Sequence, residues 1–191
     1  MGLVTPTTTP GRVRVLQVLN TLGAGGAERS SAELVGPLRD RGIDVDLAIL
    51  FEREHGVINE SVDARVHRVG GDDALSRARA LRRLADEIGA DVVHSTIFDA
   101  DLAARLARPF TGRPLLCSLV NTTYEPDRLR HDGSLRRSRL AAVHAVDALT
   151  GIAVDHFHAI TGAVADSAQR HLRIDASRQQ MKREIATLAS A

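Results

Sequence analysis

VRVLQVLNTLGAGGAER, Val13 to Arg29, reads as a strand, a glycine loop and the start of a helix. Val13, Val15, Leu16, Val18 and Leu19 form an apolar run rich in β-branched residues, the pattern of a buried parallel strand. The run ends at Asn20 and Thr21, and a loop follows with Gly23, Gly25 and Gly26. From Gly26 the apolar positions Ala27, Leu34, Val35 and Leu38 fall on roughly one helical face. Glycine permits positive φ and close approach of a ligand to the backbone. A helix start presents unpaired N–H groups and the positive end of the helix dipole, which suit an anion or a hydroxyl-rich ligand. The plainer alternative is that the glycines only make a tight strand-to-helix turn.

The loop is not a full dinucleotide fingerprint. G-x-G-x-x-G begins directly after its strand. Here Gly23 and Gly25 match, Glu28 stands at the third glycine, and Asn20, Thr21 and Leu22 intervene after the apolar run. Glu52, after the second strand, could mimic the ribose-binding acid, so an NAD-dependent oxidoreductase domain stays open as an alternative. No Gly-Lys-Ser/Thr follows, which excludes a Walker loop.

The 191 residues suffice for one substantial domain, and 43% hydrophobic with 26% charged residues implies a packed core. A net charge of +1 gives no global case for nucleic acid, and 3% aromatics without tryptophan argue against base-stacking platforms. The single Cys117 excludes an intramolecular disulfide and suggests a reducing compartment. It lies within the apolar run Leu115 to Val120, as a buried small hydrophobe would. No apolar run approaches a bilayer span of about 18 residues. Residues 1–11, Thr/Pro-rich and without a basic region, read as a disordered tail rather than a signal peptide. The expected location is cytoplasmic.

Strands are expected at Asp44–Phe51, Ala64–Val69, Asp91–Thr96, Pro114–Val120 and Phe157–Thr161. Helices are expected from Asp72 or Asp73 to Ile88, over Asp99–Arg108 with Pro109 closing it, from Leu135 to about Leu149 behind a Ser134 cap, and over Gly162–Leu172. Gly36-Pro37 conflicts with the first helix, and Gly42 is its expected stop. Alternation of strands and helices predicts an α/β fold, a single Rossmann-like domain over residues 12–175 with a parallel sheet flanked by helices.

Ligands of such sheets bind beyond the carboxyl ends of the strands. Those ends carry Asn20 to Gly26, then His94, Ser95 and Thr96, then Asn121, Thr122 and Thr123, then Thr161. These small polar groups suit a polyhydroxylated ligand, and no nucleophile–base pair points to a hydrolase. Asp99-Ala100-Asp101 matches a metal-binding Asp-x-Asp, but residues i and i+2 do not share a helix face, so capping is expected and no metal. His156 and His158 have no evident ligand partners. Arg77, Arg79, Arg82 and Arg83, and Arg136, Arg137 and Arg139, read as solvated helix faces.

Four stretches, VLQVLNTLGAGGAERSSAELVGPLRDRG, DVVHSTIFDADLAARLA, LLCSLVNTTYEP and HFHAITGAVADSAQRHL, together resemble the N-terminal domain of GT-B, family-4-like retaining glycosyltransferases. GGAER is the most specific of them. The resemblance implies a domain that holds a sugar or glycolipid-type acceptor, faces a C-terminal domain that binds a UDP- or GDP-sugar donor, and needs no metal or other cofactor. It places Gly25, Gly26, Glu28, Arg29, His94, Asn121 and Thr122 near acceptor and phosphate, with no catalytic residue assigned in this half. Asn121 stands where many relatives carry a histidine. The resemblance also adds an expectation of weak membrane-surface contact, and of a partner chain or C-terminal domain without which the chain is inactive. Residues 176–191, ASRQQMKREIATLASA, read as an amphipathic helix with Met181, Ile185 and Leu188 on one face; by the resemblance it is either the helix that closes GT-B chains onto their first domain or an unrelated tail, and both readings stay open.

Overall fold

A computed structural model describes residues 12–23, 25–51, 63–125, 137–172, 174 and 179–181. Its strands are β1 (Val13–Leu19), β2 (Ile43–Ile49), β3 (Arg65–Arg68), β4 (Val92–Thr96), β5 (Leu115–Leu119), β6 (His156–Ala159) and β7 (Gln179–Met181). Its helices are α1 (Gly26–Asp40), α2 (Ala74–Ile88), α3 (Phe98–Thr111), α4 (Arg137–Thr150) and α5 (Gly162–Leu172), with a short 3₁₀ turn at Gly151–Ala153. The sheet runs β3-β2-β1-β4-β5-β6-β7, every neighbouring pair parallel. The chain winds outward from β1 in one direction, then returns and winds outward from β4 in the other. The crevice between β1 and β4 is therefore the switch point where doubly wound sheets take ligands.

Alternation along the strands divides the core. Leu16 and Val18 face one cluster with Leu81 of α2, Ala103 and Ala107 of α3, Leu115 and Phe157. Leu19, Val45, Leu47 and Ile49 face the other, against Val35 of α1. Ala100, Ala103, Ala104 and Ala107 are buried along α3, and their small side chains let the helix lie close to the sheet. At α2, Asp73 accepts the Ser76 N–H at 2.7 Å while Ser76 accepts the Asp73 N–H at 3.1 Å, a reciprocal cap. Gly89 at φ 64° and Gly42 at φ 79° end α2 and α1, as the sequence predicted.

One local conflict is resolved and two expectations change. α1 continues through Gly36 and Pro37, both exposed, to Asp40. A missing N–H costs less on a solvated face, where water serves the unpaired carbonyl. α3 passes Pro109 and ends at Thr111, where Gly112 at φ 66° stops it. The proline sits in the last turn, beyond the part of the helix that packs. The amphipathic helix expected over 176–191 is contradicted at Gln179–Met181, which pair in parallel with β6 as its outer neighbour. Helical spacing of Met181, Ile185 and Leu188 did not register that β6 leaves an open edge to be paired. The rest of that segment, residues 1–11, the Ser134 cap and most of the loop expected over 121–133 lie outside the described residues.

Candidate functional site

The β1–α1 loop is built around internal contacts. Asn20 accepts the Ala100 N–H at 3.0 Å and donates to Asp99 at 3.2 Å, tying β1 to the N-terminus of α3. Thr21 accepts the Gly23 N–H at 3.2 Å, and its hydroxyl lies 3.4 Å from the Glu28 carboxylate. Glu28 folds back over the start of α1: a Cβ at Gly25 would meet its Oε2 at 2.2 Å. Gly25 is extended, at φ −68°, and none of Gly23, Gly25 and Gly26 has positive φ. The tight turn therefore does not require glycine here. A Cβ at Gly26 would meet nothing within 4 Å. The backbone is therefore open to an approaching group at Gly26, while the Glu28 carboxylate covers Gly25 and Arg29 is exposed.

At β4 the residues diverge. His94 lies within the strand and bonds Ser118 at 2.8 Å, and Ser118 in turn lies 3.4 Å from His158. Burial, with the neighbouring His158, lowers the His94 pKa to about 4, so the ring is neutral at physiological pH. Asp99 is exposed, whereas Asp101 turns inward and accepts the Ser95 hydroxyl at 2.6 Å. The two carboxylates of Asp-x-Asp thus point apart, and no group of three or more metal-ligating side chains gathers among the described residues. Between β4 and α3, Ile97 holds φ 77°, a strained conformation for a β-branched residue.

Ile97 lines a cavity of about 170 Å³, which opens beside the end of β5 between α3, α4 and α5. Asn121, Thr123 and Tyr124 form its rim, from the segment that follows β5. Asp101 and Arg105 of α3, Asp147 of α4 and Ser167 of α5 supply its polar wall, and Leu119, Ala168 and Leu172 an apolar one. Arg105, with 1% of its side chain exposed, bonds Asp147 and lies 3.8 Å from Asp101. Tyr124 donates to the other Asp147 oxygen at 2.6 Å and packs on His144, ring centroids 4.6 Å apart. Next in the chain, Glu125 accepts Arg170 of α5 at 2.7 Å, so the rim is latched to both helices. Burial raises the Asp101 pKa to about 6, despite Arg105 and Ser95. Burial beside Asp101 also pushes the Cys117 thiol up and makes it a poor nucleophile.

Of the strand-end residues expected at the site, Asn121 and Thr123 line this cavity. Thr122 lies in the same rim, its carbonyl 3.3 Å from the Glu125 N–H. Gly25, Gly26, Glu28 and Arg29 stand at the switch-point loop, and His94 is held in the sheet. Sequence reading left out Arg105 and Asp147. Asp101 and Arg105, four apart on an inward helix face, carried a readable signal; nothing local in the sequence marked Asp147.

A family model described as a glycosyl transferase 4-like domain matches residues 25–182. The chain belongs to this family. This glycosyl transferase 4-like domain also superposes on solved structures. A glycosyltransferase of Rickettsia africae matches with a TM-score of 0.62 and 16% identity over 90% of this chain and 42% of that one. Anabaena HepE, in complex with UDP and glucose, matches with 0.67 and 15%, over 89% and 44%. The sucrose-phosphate synthase of Thermosynechococcus elongatus matches with 0.68 and 14%, over 89% and 47%. The domain thus spans less than half the length of these proteins, and at such identities the likeness is one of fold. No curated protein matches the chain. The GT-B, family-4-like resemblance carried by GGAER and its companion stretches holds at the level of family and fold.

Proposed function

We propose that this glycosyl transferase 4-like domain is the acceptor-side half of a retaining glycosyltransferase that uses a UDP- or GDP-sugar. The observation that carries the reading is the cavity beside the end of β5. There Asn121, Thr123, Tyr124 and Ser167 offer hydrogen bonds of both senses next to an apolar wall, in a domain of this family. The open backbone at Gly26 would lie near donor phosphate, with that of Gly25 uncovered once Glu28 swings aside and Arg29 available to the anion. Asn121 and Thr122 would orient acceptor hydroxyls; His94 contributes through Ser118 rather than by touching the sugar. Catalysis of this kind is positional and electrostatic and takes no metal. The donor site belongs to a further domain or partner chain, and the location is the cytoplasm.

No helix among the described residues is long and apolar enough to cross a membrane. Weak contact with a membrane surface, through a glycolipid-type acceptor, is part of the proposal. Its helical basis is narrower than the sequence suggested: on α2, Arg79 and Arg83 are exposed, Arg82 pairs with Asp86, and Arg77 stacks on Phe51. The side chains of Arg136, Arg137 and Arg139 lie outside the described residues. Ligand-observed NMR with UDP-glucose, GDP-mannose and NAD, alongside assay of UDP and GDP release, tests the reading. We expect no turnover by the domain alone and no preference for NAD. Selective NAD binding would establish the oxidoreductase alternative instead.

A further inference from the structure

Resting on the acceptor-side reading, we infer that Asp147 is a positioning residue: through Tyr124 it sets the conformation of the rim segment Asn121–Glu125, and so the place of the side chains that would meet the acceptor. The helix that carries it, α4, is turned inside out. His144 and Asp147 point toward the rest of the domain, whereas Ala145, Val146 and Leu149 are exposed. A helix that only had to pack would bury its apolar residues, and a carboxylate taken out of water costs stability unless it is paired. Local rules give way in this manner where the side chains have another task.

The contacts on the inner face name that task. One Asp147 oxygen accepts from Arg105, whose side chain is 1% exposed and lies 3.8 Å from Asp101, so the carboxylate is fixed from behind. The other oxygen accepts the Tyr124 hydroxyl at 2.6 Å. His144, three residues earlier on the same helix face, carries the Tyr124 ring, with centroids 4.6 Å apart. The His144 ring is itself aimed by the bond that its Nε2 donates to the His171 carbonyl at 2.6 Å. Tyr124 is thus gripped at its hydroxyl and at its ring face. The backbone carries that constraint into the rim. The Glu125 N–H donates to the Thr122 carbonyl at 3.3 Å and closes a turn around Thr123 and Tyr124. The Thr123 hydroxyl donates to the Asn121 side chain, and both residues line the cavity.

The test compares the whole chain with Tyr124→Phe, Asp147→Asn and the double variant. Tyr124→Phe removes only the hydroxyl and leaves Asp147 with Arg105, so urea unfolding should stay cooperative with a midpoint close to that of the wild type. Amide hydrogen exchange at Asn121–Glu125, read by NMR, should quicken about two- to tenfold, the effect of one lost hydrogen bond, while exchange in β1 stays as it was. Methyl α-glucoside should bind more weakly by a similar factor. Asp147→Asn should act in the same way, and the double variant should do little more than either change alone, because both remove one contact. Unchanged exchange at the rim of Tyr124→Phe, equal quickening throughout the sheet, additive effects in the double variant, or unaltered glucoside affinity beside a loosened rim would each overturn the role. Tyr124→Phe decides alone if Asp147→Asn does not fold. Failure of the wild-type chain to bind the glucoside would count against the acceptor-side reading, and the exchange measurement then judges the positioning role by itself.

Discussion

Asp101 makes the sharpest energetic prediction. It is buried, with 8% of its side chain exposed, and its pKa is raised from 3.8 to about 6. A carboxyl that holds its proton more tightly when folded stabilises the fold at low pH. That advantage is complete below the unfolded value of 3.8 and fades as the pH rises through about 6. The difference between the two values corresponds to about 3 kcal/mol. Asparagine mimics the protonated side chain: it can still accept the Ser95 hydroxyl, and Arg105 retains Asp147. Asp101→Asn should therefore match the wild type near pH 4 and exceed it by up to about 3 kcal/mol at pH 7. Urea unfolding of both proteins at half-unit steps from pH 4 to 7.5 measures the difference directly, and titrations elsewhere in the chain cancel. A difference that stays constant with pH, or runs the other way, would refute the claim that burial outweighs Arg105 at this carboxyl.

Other expectations follow from local geometry. Gly71→Ala should destabilise by about 1–3 kcal/mol in thermal or urea unfolding, because φ is 141° and the added Cβ would lie 2.9 Å from the Arg77 nitrogen. Gly26→Ala should be neutral or stabilising by up to about 1 kcal/mol, since the position is helical and open, so any loss of binding there reports on the ligand. Cys117 should resist thiol reagents in the folded chain and react once urea unfolds it. The His94 ring protons should show no titration by NMR between pH 5.5 and 8, given a pKa of about 4.

Much of the fold was legible because each element carried its own signal. The apolar run Val13–Leu19 became β1 with those bounds, and Gly162–Leu172 became α5. The Asp73 cap and Gly89 stop are local chemistry, and α2 ran between them. The errors arose where tertiary context outweighed local rules. Pro109 did not end α3, and Gln179–Met181 became strand because an edge was there to pair. The site was legible at its margins. Asn121 and Thr123, which the rule that ligands lie beyond strand ends singles out, line the cavity. Asp147 comes from α4, 42 residues beyond Arg105, and only the packing of α3 against α4 brings the two together. His94 bonds Ser118 of the neighbouring strand, a cross-strand contact that no local pattern marks.

The most direct test of the account is to map methyl α-glucoside onto the chain by amide chemical shifts. The account predicts that shifts concentrate at Asn121–Tyr124 and along Ser167–Leu172, the rim and the α5 wall of the cavity. Shifts confined to the Gly25–Arg29 segment, or to strand residues around His94, would contradict it.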